Sequence, residues 1–114
     1  MVSGDTDTVY RGLMTVERND VFFTLAGDIA DWGERFLRVR GSCGDEAAVQ
    51  VLGGIAEWLG TDLVDGMPLL PLERWTLLDS LAEELLQVCR ACTEGEPGAE
   101  DGVRAVIGKA RDLS

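Results

Sequence analysis

Apolar residues recur at steps of three and four along most of this chain. The longest such stretch is residues 71–93, where Trp75, Leu78, Ala82, Leu85, Cys89 and Cys92 fall on one helical stripe. Leu72, Leu81 and Val88 widen that stripe, and Leu77 and Leu86 lie on a second flank. The pattern predicts a buried central helix with neighbours on more than one side, opened by Pro71 in its first turn. In residues 21–40 the same spacing links Phe22, Leu25, Ile29, Trp32, Phe36 and Val39, with Asn19 and Asp20 as N-caps. The opposite face holds Asp28, Asp31, Glu34, Arg35 and Arg38. Asp31–Arg35 and Glu34–Arg38 stand four apart with the acid first, the favourable order for pairs within a helix. Gly27 and Gly33 each weaken this helix by about 1 kcal/mol relative to Ala, which points to close approach of another helix.

A third helix is predicted from Asp45, read as its cap, to about Leu59. Ala48, Val51, Leu52, Ile55 and Leu59 face inward, Trp58 lies near the rim and Gly60 is the stop. Gly53–Gly54 marks either a close packing of two backbones or a break. After a GEPG interruption, Val103, Val106, Ile107, Ala110 and Leu113 form the apolar face of a last helix. Glu100 and Asp101 at its start and Lys109 and Arg111 at its end suit the helix dipole.

Two segments are less determined. Residues 9–16 fit one helical face through Val9, Leu13 and Val16, yet they are also β-branched enough to form a hairpin with VFFTL across a turn at 17–20. A short helix is the preferred reading. Residues 61–70, TDLVDGMPLL, form the longest connection, with a turn signal at Asp65–Gly66 and prolines at 68 and 71. Its apolar residues predict a lid folded onto the core. The rival reading is an exposed patch that receives a partner.

The expected architecture is therefore all-α, a bundle of four to five helices over residues 9–114, following a frayed segment 1–8. The alternative is α+β with an N-terminal β-hairpin at residues 8–25. Heptad-like seams in several helices would also suit a homo-oligomer.

Composition narrows the function. The chain has 114 residues, 10 basic and 21 acidic, for a formal charge of −11. Asp45, Glu46, Glu57, Asp62 and Asp65 stand in a stretch, residues 41–70, that has no base. Such a surface repels nucleic acid and anionic membranes and attracts a basic protein. No apolar run approaches the roughly 20 residues of a membrane span and the N-terminus lacks a signal pattern, so the expected location is cytoplasmic. Histidine is absent, which removes the commonest general base and metal ligand.

Three motifs bear on chemistry. Cys89-Arg90-Ala91-Cys92 is a C-x-x-C, but it falls near a helix C-terminus on the apolar stripe. The pair reads as small core hydrophobes, not as a redox or zinc site. Asp79-Ser80-Leu81 resembles the phosphopantetheine attachment triplet of acyl carrier proteins. The leading Leu-Gly-x-Asp of that family is missing and Ser80 sits inside a continuous helical pattern, so no prosthetic group is implied. Asp28, Asp31 and Glu34 share one face and have the ligand chemistry for a divalent cation, yet interleaved with Arg35 and Arg38 they read as a solvated face.

No catalytic residue, cofactor or metal site is expected. The leading expectation is a non-catalytic acidic protein–protein interaction module, an adaptor, regulatory or assembly subunit. Death-fold assembly domains are also all-helical and of similar size, a comparison of class that no motif carries. The partner-binding surface is placed at Asp45, Glu46, Glu57, Trp58, Asp62, Asp65 and Met67, aromatic and Met anchors ringed by carboxylates. Two rivals are an immunity-protein or antitoxin-type inhibitor of a basic toxin, and a small-molecule or lipid carrier using the bundle interior.

Overall fold

In the computed structural model, residues 21–114 are described with their side chains, and residues 2–20 only in their helical backbone course. Four long helices and one short one follow each other: α1 (Val2–Cys43), α2 (Asp45–Trp58), α3 (Val64–Gly66), α4 (Leu72–Thr93) and α5 (Ala99–Leu113). A π turn, Leu59–Leu63, joins α2 to α3, and a 3-10 turn, Met67–Leu69, leads toward Pro71. The fold is an all-α bundle with no strand among the described residues.

The hairpin at residues 8–25 does not form, and neither does the break at 17–20. Both regions lie inside α1, a single helix of 42 residues. No proline occurs before residue 68, so nothing in this stretch removes a helical hydrogen bond. Asn19 and Asp20 have capping chemistry but follow a helix already under way, where propagation costs far less than nucleation. β-branched residues favour strands only where a sheet exists to bury them. Of the segment 1–8 expected to fray, Met1 lies outside the described residues and the rest is described only as the backbone start of α1.

The inward stripes largely hold. Phe36, Ile29, Ile55, Leu63, Leu78, Leu85, Val103 and Val106 are fully buried. Each such side chain contributes on the order of 1.5–3 kcal/mol of transfer free energy. The helix at 71–93, α4, has neighbours on more than one side as expected, packing against α1, α2 and α5, and α1 shares that central role. α1 packs against α5, α2 and α4. α4 forms a wall: its stripe from Leu78 to Cys92 is buried, while Leu72 is 75% and Leu77 46% exposed.

Small residues let α1 pack closely against its neighbours. Ala26 and Ala30 are fully buried, and Gly33 sits so close to α5 that a Cβ there would stand 2.5 Å from Ile107 Cγ1. Of the two glycines in that stretch, Gly33 permits a close helix approach, whereas a Cβ on Gly27 would meet nothing within 4 Å.

The connection at 61–70 is helical for most of its length, because Gly60 does not stop α2. The chain winds on through the π turn, α3 and the 3-10 turn to Leu69. Its side chains divide: Leu63 is 1% exposed and anchors the segment to the core, whereas Val64, Met67 and Leu69 are close to half exposed. At the other end of α2 the N-cap is Gly44, and Asp45 is the first helical residue.

Candidate functional site

A cluster of acidic and aromatic side chains gathers where α1 meets the end of α2. Asp28, Asp31, Trp32 and Arg35 stand three and four apart on α1 and so share a face. Trp58, the last residue of α2, and Asp62 in the π turn come against that face and enclose a cleft of about 230 Å³. A second cleft of about 240 Å³ adjoins it, lined by Trp32, Gly54, Glu57, Trp58, Thr61 and Asp62. A third, of about 340 Å³, is bordered by Val21, Leu25, Gly66 and Leu69 with Asp62 and Asp65 on its edge. Asp62 borders all three, so the acidic, Trp-lined clefts and the apolar one adjoin at that residue, and together they are called the groove.

The π turn builds this arrangement. The next buried residue after Trp58 is Leu63, five positions on. An α-helix would carry the inward direction from Trp58 to position 62 and bury an aspartate. A turn with i→i+5 geometry puts Leu63 inward instead and leaves Asp62 exposed at the groove. Gly54 provides the room opposite, since a Cβ there would stand 2.8 Å from Trp32 Cη2. Of the glycine pair at 53–54, Gly54 therefore marks a close approach of α2 to the Trp32 ring, a Cβ on Gly53 would meet nothing within 4 Å, and the helix is unbroken.

Electrostatically the groove differs from the rest of the surface. Burial pushes the Asp28 carboxyl above its ordinary value of 3.8, and the like charges of Asp31 and Asp62 push it further the same way. The Trp58 indole opposes this in part, as an N–H pointing toward the carboxylate. The two do not reach hydrogen-bond geometry, so Trp58 Nε1 is buried without a partner among the described residues. Asp28 and Asp62 form no ion pair among the described residues. Arg35 lines the same cleft with its guanidinium 4.9 Å from the Trp32 ring centroid, a cation–π contact, and it too lacks a described carboxylate partner.

Elsewhere some charges are tied between elements, while others, among them Glu46, Glu73, Asp79 and Glu94, form no ion pair among the described residues. Arg111 of α5 reaches Asp31 at 3.0 Å and Glu34 at 2.8 Å, so the pairs expected within α1, Asp31–Arg35 and Glu34–Arg38, give way to a bridge between helices. Lys109 reaches Glu84 at 3.2 Å, and Arg40 holds Asp45 at 2.7 Å.

Of the residues that the sequence marks for partner binding, Glu57, Trp58, Asp62 and Asp65 line this groove. Met67 is 47% exposed just beyond it. Asp45 and Glu46 stand at the opposite end of α2, about 20 Å away at the rise of an α-helix, with Asp45 engaged by Arg40. Trp58 is 6% exposed, a wall of the groove more than a projecting anchor. Sequence reasoning missed Trp32 and Arg35, the first assigned to the core and the second to a salt bridge. The five-residue step from Trp58 to Leu63 was the available signal.

Cys89 and Cys92 lie buried on the α4 stripe, and burial pushes the Cys89 thiol up to about 12. Such a thiol stays protonated at neutral pH and makes a poor nucleophile or metal ligand. Ser80 is exposed in the middle of α4. Among the described residues no group of three or more Cys, Asp or Glu could hold a metal ion, and no helix is long and apolar enough to cross a membrane.

No protein-family profile, curated protein or solved structure matches this chain.

Proposed function

We propose that the protein is a non-catalytic interaction module, an adaptor or regulatory subunit, and that the groove between α1 and the 57–69 segment receives an amphipathic basic segment of a partner protein. The observation that carries this reading is the pair of carboxylates, Asp28 and Asp62, that border one cleft with Trp32 and Trp58, where burial and the neighbouring negative charge both raise the cost of ionising Asp28. Like charges held together in a partly desolvated cleft cost free energy that an incoming cation recovers. The buried Trp58 N–H faces the Asp28 carboxylate without completing a hydrogen bond, so an acceptor brought by the partner would satisfy it. A peptide brings both, a cationic side chain and a backbone carbonyl. The apolar end of the groove, with Leu69 and the exposed Val64, Met67 and Leu72 nearby in sequence, supplies a dry surface for the peptide's other face.

The test is calorimetric titration of the full chain with a capped amphipathic peptide, arginines on one face and leucines on the other, beside its glutamate counterpart. Binding of the basic peptide alone is expected, weakening as salt rises from 50 to 500 mM. The Asp28→Asn, Asp62→Asn double variant should lose roughly tenfold in affinity, as expected for removing two facing charges. Equal binding of both peptides, or an unchanged affinity in the double variant, removes the proposal.

A further inference from the structure

The inference rests on the groove as the docking surface and names the group that anchors the partner there. We infer that Arg35 is an intramolecular stand-in for a partner arginine: it covers the Trp32 face in the free protein and gives it up when a guanidinium from the partner enters between Asp28 and Asp62. Three observations support this.

Arg35 is a cation lining a cleft that is otherwise acidic and aromatic, so the cleft already shows which chemical class its walls accept. Its contact is with its own helix, three residues away on Trp32, so losing it loosens no joint between elements. Arg74 makes the instructive contrast. Its guanidinium also lies 4.9 Å from an aromatic centroid, but that ring is Phe22, and the contact fastens α4 to α1. Finally, the carboxylate one turn before Arg35, Asp31, is held by Arg111 at 3.0 Å. Arg35 is thereby left without the i−4 ion pair that would otherwise fix it, and its guanidinium rests on the ring alone among the described residues.

A divalent cation is a poorer occupant, because no described trio of carboxylates converges closely enough to ligate one. A flat, weakly hydrated guanidinium suits a cleft walled by two indoles and edged by carboxylates on different elements better than a compact ammonium does. Partner arginines are therefore expected to outbind lysines at this position.

The experiment follows the Trp32 and Trp58 indole N–H resonances of the isotopically labelled full chain during titration with the arginine–leucine peptide. Its lysine–leucine analogue is titrated in parallel. Arg35→Gln tests the competitor. Arg38→Gln, an exposed arginine of the same helix that does not line the cleft, controls for the change in net charge. The expected result is that Arg35→Gln binds the arginine peptide about threefold more tightly than Arg38→Gln does, the size of one exposed cation–π contact. The Trp32 resonance should move most, and the lysine peptide should bind more weakly to every form. Equal tightening by the two variants would show that net charge alone matters and would overturn the role of Arg35, leaving the groove in place. If no form shifts either indole with either peptide, the docking surface itself fails and this inference with it.

Discussion

The two long sides of α1 treat the same kind of residue in opposite ways. Toward α5, the carboxylates Asp31 and Glu34 are gathered by one guanidinium, Arg111, and Lys109 likewise holds Glu84 across the α4–α5 seam. Toward α2 and the π turn, Asp28 feels the like charge of Asp62, and the one arginine lining that cleft, Arg35, rests on the Trp32 ring and forms no described ion pair with either. The first side is a joint. Its ion pairs are exposed and each is worth at most about 1 kcal/mol, but they fix the seating of α5 on helices already held by Phe36, Leu85, Val103 and Val106. The second side has no such bridge between helices among the described residues. An acidic composition thus says little until one knows which acids already have a partner.

The largest test of this contrast is the core of the jointed side. Phe36→Ala should lower the unfolding free energy by about 3–5 kcal/mol, measured by urea denaturation, because Phe36 is fully buried and its removal leaves a cavity. A cost below about 1 kcal/mol would mean that α1 and its neighbours are not packed as described.

Next in size is Gly33→Ala. The added methyl would meet Ile107 at 2.5 Å, so a loss of about 1–3 kcal/mol is expected, although Ala is the better helix former. Gly27→Ala, where nothing lies within 4 Å, should instead gain up to about 1 kcal/mol. Opposite signs for two glycines on one helix are the signature sought. Like signs would break the distinction between the side of α1 that a helix covers and the side left open.

The smallest effect is the most telling. Asp28 has a folded pKa above its ordinary 3.8, so the folded state holds the proton more tightly than the unfolded chain. Ionisation therefore costs stability as pH rises through and above 3.8. Asp28→Asn should raise the melting temperature slightly at pH 7, and that gain should disappear below about pH 3.8. Glu34→Gln, which breaks a pair with Arg111, should lower it slightly or leave it unchanged at neutral pH. Destabilisation by Asp28→Asn at pH 7 would show that Asp28 is a structural partner, and the open side would then be no different from the closed one.

Much of the fold was legible in apolar spacing. The stripes Phe22–Leu25–Ile29–Phe36 and Leu78–Ala82–Leu85–Cys89 are buried as their three-four steps predict. What misled the reading was local chemistry with more than one outcome. Asn19–Asp20 have cap chemistry but lie mid-helix, and Gly60 has stop chemistry but lies within a π turn. Each signal is worth about 1 kcal/mol, less than the burial of a single Leu63 that the continued winding secures. At the groove, the carboxylate face Asp28–Asp31–Glu34 was visible as a face. Its division into tied and untied acids was not, because Arg111 stands eighty positions from Asp31 and no local rule reaches that far.

The sequence alone determined that this chain is helical, that its core lies on a few heptad-like stripes, and that it presents carboxylates with almost no base near residues 41–70. These follow from periodicity and charge, which act between residues one or two turns apart. Tertiary structure alone decided that α1 packs against α2, α4 and α5, that Gly54 makes room for the Trp32 ring, and that Asp28 and Asp62 border one cleft with Trp32, Trp58 and Arg35. Those depend on which helix faces which, a choice made by the summed packing of the whole bundle.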